Sequence, residues 1–495
     1  MSAALDGLAL VLAWPNILYP IAGTLLAMCV AVLPGISGAT LMAIVIPLTF
    51  HWDTLQILLL FGALVGGATF MGSTTAILFN IPGTGPNAAT LLDGYPMARQ
   101  GRARTALACS ALSSALGSTV GVFLLILLIP AVVVLGPRMG PPEYLMLSLW
   151  GLVCIVTVIR ASVVKGLVMA GFGLLISLVG LDPMTAETRY TLGTIYLQDG
   201  VGLIPVFVGV FAIAEIIDLL ATGRRTVSGE TDVAALGGTT AEGVRAVFRH
   251  FGVFLRSSLI GTGIGVVPGV GGTVAGFVAY GEAARVAGKD GRFGEGDIRG
   301  VIAPEAANDA KDGGSLLPAL AFGVPASAGT ALLLVALQIH GVTPGGDLMT
   351  NDLDLVFVLI WSLFISNWLS SLLGLSLVGP LARLSVVRVS RLVPPILALS
   401  VIGAFAYRGR VTDVWLAFGF GAAGYAARRY GWPRIPFIIA IVLGPLFEVN
   451  LGLSLRLHEL GRIDLWTRPS ILLVGVLIAL SVAVPRLPRR RGERS

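Results

Sequence analysis

Charge is scarce in this sequence. Only 12% of its 495 residues are Asp, Glu, Lys or Arg, against about a quarter in a soluble globular chain. Lysine is scarcer still, with Lys165, Lys289 and Lys311 the only three. Such a chain cannot clothe a water-facing surface, which excludes a soluble protein. No compact basic patch is interleaved with aromatics, so the net charge of +6 does not point to nucleic acid. Cysteine is limited to Cys29, Cys109 and Cys154, with no CxxC pair; neither zinc nor a redox centre is expected. Each lies in an apolar stretch and reads as a buried small apolar residue. Histidine is limited to His51, His250, His340 and His458, and there is no HExxH and no GxxxxGK[ST]; metalloprotease and ATP-hydrolysing chemistry lack support. Gly35-Ile36-Ser37-Gly38 superficially matches a protease serine motif, but no base stands in a persuasive partner motif. No enzyme is expected. The N-terminus has no basic segment or clear cleavage site, so no removable signal peptide is expected.

Apolar sequence fills the space that charge leaves. Hydrophobic residues make up 55% of the chain, and mean hydropathy is +0.89. Stretches near the length needed to span a bilayer recur at 8–30, 55–79, 106–135, 143–160, 163–181, 201–221, 253–280, 313–338, 353–379, 392–407, 411–427, 433–450 and 469–485. The fold class that follows is an all-α polytopic membrane protein with about ten to thirteen membrane segments. Basic residues mark topology, because Lys and Arg collect in cytoplasmic loops. The first cluster is Arg99, Arg102 and Arg104, and the last is Arg486, Arg489, Arg490, Arg491 and Arg494. That places the C-terminus in the cytoplasm.

Helix breakers recur in matched places. Pro34-Gly35-Ile36-Ser37-Gly38-Ala39-Thr40 and Pro268-Gly269-Val270-Gly271-Gly272-Thr273 lie 234 residues apart. Each is followed by a second break, Ile81-Pro82-Gly83-Thr84-Gly85 and Val324-Pro325-Ala326-Ser327-Ala328-Gly329-Thr330, 243 residues apart. The difference of 9 residues fits the polar stretch 282–299 carried by the second half. Two structural repeats built on broken or re-entrant helical hairpins are expected; hydropathy leaves parallel and inverted pairs both open, and the inverted pair is the preferred reading. They span 1–222 and 251–485, joined by a polar linker at 223–250 and followed by a basic tail at 486–495.

Broken helices inside a bilayer leave backbone groups that protein, water or ligand must satisfy. A helix resuming after Pro-Gly offers free N–H groups to an anion. The first break supplies Pro34, Gly35, Ser37, Gly38 and Thr40; the second supplies Asn80, Gly83, Thr84 and Asn87. The third supplies Gly269, Gly272 and Thr273, and the fourth supplies Ser327 and Thr330. Backbone near Gly35, Gly83, Gly269 and Ala326 offers carbonyls to a cation such as Na⁺. The run from Ala303 to Gly314 is polar and enters apolar sequence, which makes Asn308 and Lys311 further candidates. For Glu305, Lys311 and Asp312 two readings stand side by side: an intramembrane site, or a helix start stabilised by its dipole. Asp93-Gly94 reads as a turn returning the chain to the surface, and Glu448 as an interface or turn residue.

These motifs resemble the large permease subunit of the tripartite tricarboxylate transporter family, the TctA type. The likeness rests on 33–40, on Asn80-Ile81-Pro82-Gly83-Thr84, on Asp93-Gly94-Tyr95-Pro96-Met97-Ala98-Arg99-Gln100-Gly101, on 267–279, on Ala303-Pro304-Glu305-Ala306-Ala307-Asn308 and on Gly444-Pro445-Leu446. The resemblance implies a bacterial inner-membrane secondary transporter that imports a small carboxylate by alternating access. It implies coupling to Na⁺ or H⁺, with no other cofactor. It implies two partners, a small four-helix membrane subunit of the TctB type and a periplasmic solute-binding protein of the TctC type. A stand-alone cation-coupled organic-anion carrier or channel would carry similar breaks. One departure stands out: after Asn308 the family continues with small neutral residues, whereas this chain has Asp309-Ala310-Lys311-Asp312.

Overall fold

The computed structural model describes residues 2–33, 37–136, 139–158, 163–222, 237–377, 389–463 and 468–483. It is almost wholly helical, as expected; a two-stranded hairpin, Gly180–Leu181 with Thr188–Arg189, is the one sheet among the described residues. Five described helices are long and apolar enough to cross a membrane, and shorter apolar helices accompany them. The chain divides into two compact units, Met1–Gly136 with Gly202–Ala426, and Pro137–Val201 with Ala427–Ser495.

The first unit begins with α1 (Ser2–Leu12), α2 (Leu18–Ala31) and α3 (Gly38–Val45). There follow α4 (Thr54–Gly67), α5 (Thr69–Phe79), α6 (Leu91–Arg99) and the long α7 (Ala103–Leu135). The second unit opens with α8 (Pro141–Val158) and α9 (Val163–Ser177). The first unit resumes with α10 (Leu203–Phe207), a π-helical turn and α11 (Ala214–Thr222). It continues with α12 (Thr240–Arg249), α13 (Phe251–Val266), α14 (Gly271–Ala287), α15 (Arg299–Phe322) and α16 (Ala328–Ile339). Then come α17 (Gly346–Thr350), α18 (Leu353–Ser376), α19 (Val389–Arg408) and α20 (Val411–Arg429). α21 (Arg434–Glu459) and α22 (Pro469–Ala483) belong to the second unit.

Three expected spans are interrupted. The stretch 8–30 divides into α1 and α2, and 253–280 divides at Val267 into α13 and α14. The stretch 313–338 is the larger correction. Its first third belongs to α15, which begins at Arg299 and carries the charged run within it, and α16 starts only at Ala328. Hydropathy missed this because α15 buries its polar side chains against other protein groups. Of the expected linker, 223–236 lies outside the described residues, and 240–249 forms α12. Thr239 caps that helix by accepting from the N–H of Glu242. The tail 486–495 also lies outside the described residues.

Small residues let the helices of the first unit approach closely. A side chain at Gly117 or Gly121 of α7 would strike the α15 backbone at Ala306 or Ala310. Gly261 and Gly265 of α13 meet α15 in the same way at Ala307 and Lys311. α15 is therefore flanked by α7 and α13, with α14 against it through Ala275, Ala279 and Ala283 packed on Ala303 and Ala307. In the other half of this unit α4 packs on α18 and α2. Ser366 of α18 donates to the Ala63 carbonyl at 2.8 Å, and Gly62, Gly66 and Gly67 give α18 and α2 room to approach. Apolar side chains seal the region where α5, α6, α7, α12, α13 and α15 meet, among them Ile77, Met97, Leu107, Val247, Phe254 and Ile302.

In the second unit α21 packs on α8 and α9, with Gly173 against Phe437 and Ala440. Arg189 of the hairpin pairs with Asp182 at 3.1 Å and with Glu448, which supports an interface role for that carboxylate. Glu143 accepts from Arg468 at 2.8 Å and from Ser470 at 2.7 Å. Cys109 and Cys154 are buried, as expected, but Cys29 is exposed. Where the outer surface is itself apolar, apolar sequence does not distinguish inside from outside.

Asp93 is not in a turn. It lies within α6, fully buried, and gathers the loop between α14 and α15. Its Oδ1 accepts from the N–H groups of Gly294 (2.9 Å), Gly296 (2.8 Å) and Asp297 (2.8 Å), while Oδ2 accepts from the Tyr280 hydroxyl at 2.9 Å. Asp-Gly favours turns because a short acceptor bonds nearby backbone; here the same acceptor finds its backbone donors 200 residues away. Asp297 in that loop is itself fixed. Burial opposes its ionisation, but hydrogen bonds from Arg299 and the Arg292 N–H hold its carboxyl below the usual carboxylate range. Replacing Asp93 by Ala orphans three N–H groups and is expected to cost on the order of 3 kcal/mol. Asp93→Asn keeps the Oδ1 acceptor and should cost clearly less. Thermal unfolding midpoints of the purified protein check the order; equal midpoints for Asp93→Ala and wild type would contradict it.

Candidate functional site

The breaks share a local chemistry. α5 ends at Asn80 and α15 at Gly323, both in the left-handed conformation (φ 58° and 67°), and each is followed two residues later by Pro. That turn ends a helix without strain when Gly or Asn supplies it. After three of the breaks a hydroxyl meets a polar side chain three residues on. Ser37 caps α3, accepting from the Thr40 N–H at 3.1 Å with the two hydroxyls 2.9 Å apart. Ser327 caps α16 in the same manner, accepting from the Thr330 N–H at 3.2 Å, while the Thr330 hydroxyl accepts from the Ser327 N–H at 2.8 Å. Thr84 donates to the Asn87 carbonyl oxygen. The fourth helix start differs: Val270 stands at the N-cap of α14 and no side chain caps it.

The breaks meet across the two halves. α3 packs on α16, and the helical turn Gly85–Ala88 packs on α14. A Cβ at Gly85 would lie 2.7 Å from the Thr273 hydroxyl. A Cβ at Gly272 would lie 2.6 Å from Lys311 Cε, 2.7 Å from the Asn308 amide oxygen and 2.9 Å from Pro86. Only glycine admits that approach. The Gly269 N–H donates to the Ala326 carbonyl at 3.0 Å, joining the third break to the fourth. Gly83 donates its N–H to the Gly72 carbonyl at 3.2 Å. The structure thus brings Gly85 and Pro86 of the second break against Gly272 and Thr273, with Asn308 and Lys311 beside Gly272, and links Gly269 to Ala326; Gly83, Thr84 and Asn87 instead face α5 at Gly72, Ser73 and Thr75. Gly38 stands beside Ala68, and Thr40 and Thr330 are buried. Asn80 is exposed and serves as the helix terminator. Pro34 and Gly35 lie outside the described residues.

Behind the breaks runs a buried polar network. Glu305, fully buried on α15, accepts from Ser73 (2.6 Å), Ser110 (2.8 Å) and Ser114 (3.2 Å), and from Thr90. Ser73 in turn accepts from the Asn87 amide at 2.6 Å, which ties Glu305 to the second break. Ser114 also reaches Asp309 Oδ2 at 2.6 Å. With its amide turned so that nitrogen meets acceptors, Asn367 of α18 donates to Asp309 Oδ1 at 2.8 Å and accepts from Ser118 at 2.9 Å. Lys311 pairs with Asp312. Among the described residues no group of three His, Cys, Asp or Glu could hold a metal ion.

The breaks were readable in advance, and so were Glu305 and Asp312 as candidates on the polar run; the hydroxyls that meet them were not. Glu305, Asp309 and Asp312 fall at i, i+4 and i+7, which puts them on one face of α15. Ser110, Ser114 and Ser118 repeat at four-residue spacing on α7 and meet that face. Two interlocking periodicities, hydroxyls on one helix and carboxyls on another, were the available signal. Ser73, Thr90 and Asn367 carried none of their own.

An apolar, helical chain whose broken segments converge on a buried polar network is a multi-pass membrane protein, and convergent helix ends of this kind define a transporter class. The chain belongs to the tripartite tricarboxylate transporter TctA family, whose sequence model matches residues 17–439. Membership points to a transporter component rather than an enzyme. The chain is 33% identical over 481 residues to an uncharacterized 52.8 kDa protein in the TAR-I ttuC' 3' region of Agrobacterium vitis, covering 97% of this chain and 95% of that one. It is 30% identical over 236 residues to an uncharacterized protein in the TAR-II ttuC' 3' region of the same organism, covering 47% of this chain and 98% of that one. No solved structure matches the chain.

Removing the Glu305 carboxylate leaves buried hydroxyls without their shared acceptor. Glu305→Ala is expected to destabilise by on the order of 3 kcal/mol, and Glu305→Gln, which keeps one carbonyl acceptor, by less. Unfolding midpoints in detergent read the difference. A Glu305→Ala protein as stable as wild type would show that the network does not hold the helices.

Proposed function

We propose that this chain is the large membrane permease subunit of a tripartite, binding-protein-dependent secondary transporter that imports a small carboxylate by alternating access. The observation that carries the reading is the convergence of broken-helix ends, Gly85 and Pro86 from one half with Gly272, Thr273 and Asn308 from the other. Carboxylate is the substrate class that uncapped N–H groups, hydroxyls and Lys311 favour. A coupling cation, Na⁺ or H⁺, offsets the substrate charge and the acidic face of α15. The partners are a four-helix membrane subunit of the TctB type and a periplasmic binding protein of the TctC type, the two further parts that a tripartite system calls for. The location is the bacterial inner membrane, with the C-terminus cytoplasmic.

Packing supports the reading of two inverted repeats, 1–222 and 251–485. α2, α3, α4–α5 and α7 of the first half match α13, α14, α15 and α18 of the second in order. α4 packs on α18 of the other half, and α15 on α7 of the other half. Each half thereby lends a long helix to the other's central one, an exchange that a pair of pseudo-two-fold-related repeats produces.

Membrane vesicles holding this chain and both partners should take up a labelled carboxylate only with the binding protein and an ion gradient present. Uptake that persists without the binding protein would sink the tripartite reading. Ser37→Ala, Thr273→Ala and Asn308→Ala should each lower the uptake rate several-fold without loss of folded protein. Normal uptake in all three would contradict this placement of the site.

A further inference from the structure

Three helix starts after the breaks carry a hydroxyl–polar pair, and the fourth does not. The 234-residue shift that sets Pro34 on Pro268 sets Ser37 and Thr40 on Gly271 and Val274. Neither second-half residue has a polar side chain, so α14, 17 residues long, begins with its N–H groups free of any side-chain cap. Lys311 and Asn308 stand over that first turn, their Cε and amide oxygen crowding the space a Gly272 side chain would need. Among the described residues Lys311 is held by Asp312 alone of the charged side chains. Asp312 is 4% exposed, and its second carboxylate oxygen has no hydrogen-bond partner. A buried carboxylate with one oxygen on an ammonium and the other unsatisfied is poorly anchored, because the unpaired oxygen retains its full desolvation cost.

We infer that the open N-terminus of α14, with Lys311 and Asn308, is the subsite for a substrate carboxylate, and that Asp312 occupies Lys311 until substrate arrives. The inference rests on the transport reading above and specifies its charge bookkeeping. A substrate carboxylate offers Lys311 the same partner as Asp312 and gains the helix N–H groups, which the Asp312 side chain does not cap. Displacement leaves Asp312 buried with neither oxygen paired. A monovalent cation, H⁺ or Na⁺, then neutralises it, so substrate and cation enter together. The titratable groups acting on Asp312 and its neighbour Asp309 are Lys311 and Glu305, all on α15. From the helices packed against that face come the hydroxyls of Ser73, Ser114 and Ser118 and the amide of Asn367.

The test is calorimetric titration of the purified full chain in lipid nanodiscs with citrate, succinate and acetate as probes. Titrations run at two pH values and with either sodium or choline as the salt cation. Wild type should bind at least one probe more tightly at lower pH if the cation is a proton, or with sodium if it is Na⁺. Asp312→Asn removes the competitor and the charge. It should bind that probe about tenfold more tightly and respond to neither pH nor sodium. Lys311→Gln should weaken binding about tenfold or more, and Lys311→Arg should restore most of it, which separates recognition from misfolding. Wild-type binding with unchanged ion dependence in Asp312→Asn, or unchanged affinity in Lys311→Gln, would overturn this inference while leaving the transport reading intact. Failure of every probe to bind wild type would overturn this inference, and the vesicle uptake assay decides the transport reading separately.

Discussion

A carboxylate taken out of water must be met by donors, and Glu305 sets that requirement at the centre of the first unit. Its oxygens are reached from α5 by Ser73, from the segment before α6 by Thr90, and from α7 by Ser110 and Ser114. Hydroxyls reach only a short distance, so these elements must lie close to α15. The close approach is available because Gly117 and Gly121 face α15 without side chains. Polar demand and steric permission thus specify the same packing. Ala306, Ala307 and Ala310 on α15 belong to the same solution, since any larger residue would hold the hydroxyls out of range.

The breaks were legible in the sequence because Pro and Gly act through the backbone, and their effect does not depend on what surrounds them. Asn80 and Gly323 end their helices in the left-handed conformation and Ser37 and Ser327 begin theirs as caps, all local events. What was not legible depended on partners distant in the chain. Asp93-Gly94 has the composition of a turn, yet Asp93 sits in α6, because its donors come from 294–297. The run from Glu305 to Asp312 read either as an intramembrane site or as the start of a helix ahead of an apolar span. It is buried in the middle of α15, not at its start, because serines on α7 and an asparagine on α18 make burial of that polarity tolerable. Hydropathy sums a window of one segment; a buried polar helix is stabilised by residues in other segments. The exposed Cys29 marks the same limit from the apolar side.

The two halves divide the polar labour unequally. In the first half the helix before the second break, α5, brings hydroxyls: Thr69, Ser73, Thr74 and Thr75. Its counterpart α15 brings carboxyls and one ammonium. Thr74 and Thr75 spend their hydroxyls on carbonyls of α5 itself, and Ser73 donates across to Glu305, so that carboxylate is satisfied only when the halves are together. The same inequality reaches the helix starts. Ser37 and Ser327 satisfy the N-termini of α3 and α16 internally, and Thr84 engages Asn87. α14 alone of these begins without a polar residue at its cap, and it lies beside the one lysine on α15. In a low-dielectric interior a positive helix end and an ammonium reinforce one another, and neither is cheaply left without an anion. Asp312 meets that demand with one of its two oxygens, and the demand left over is what gives the site its sign.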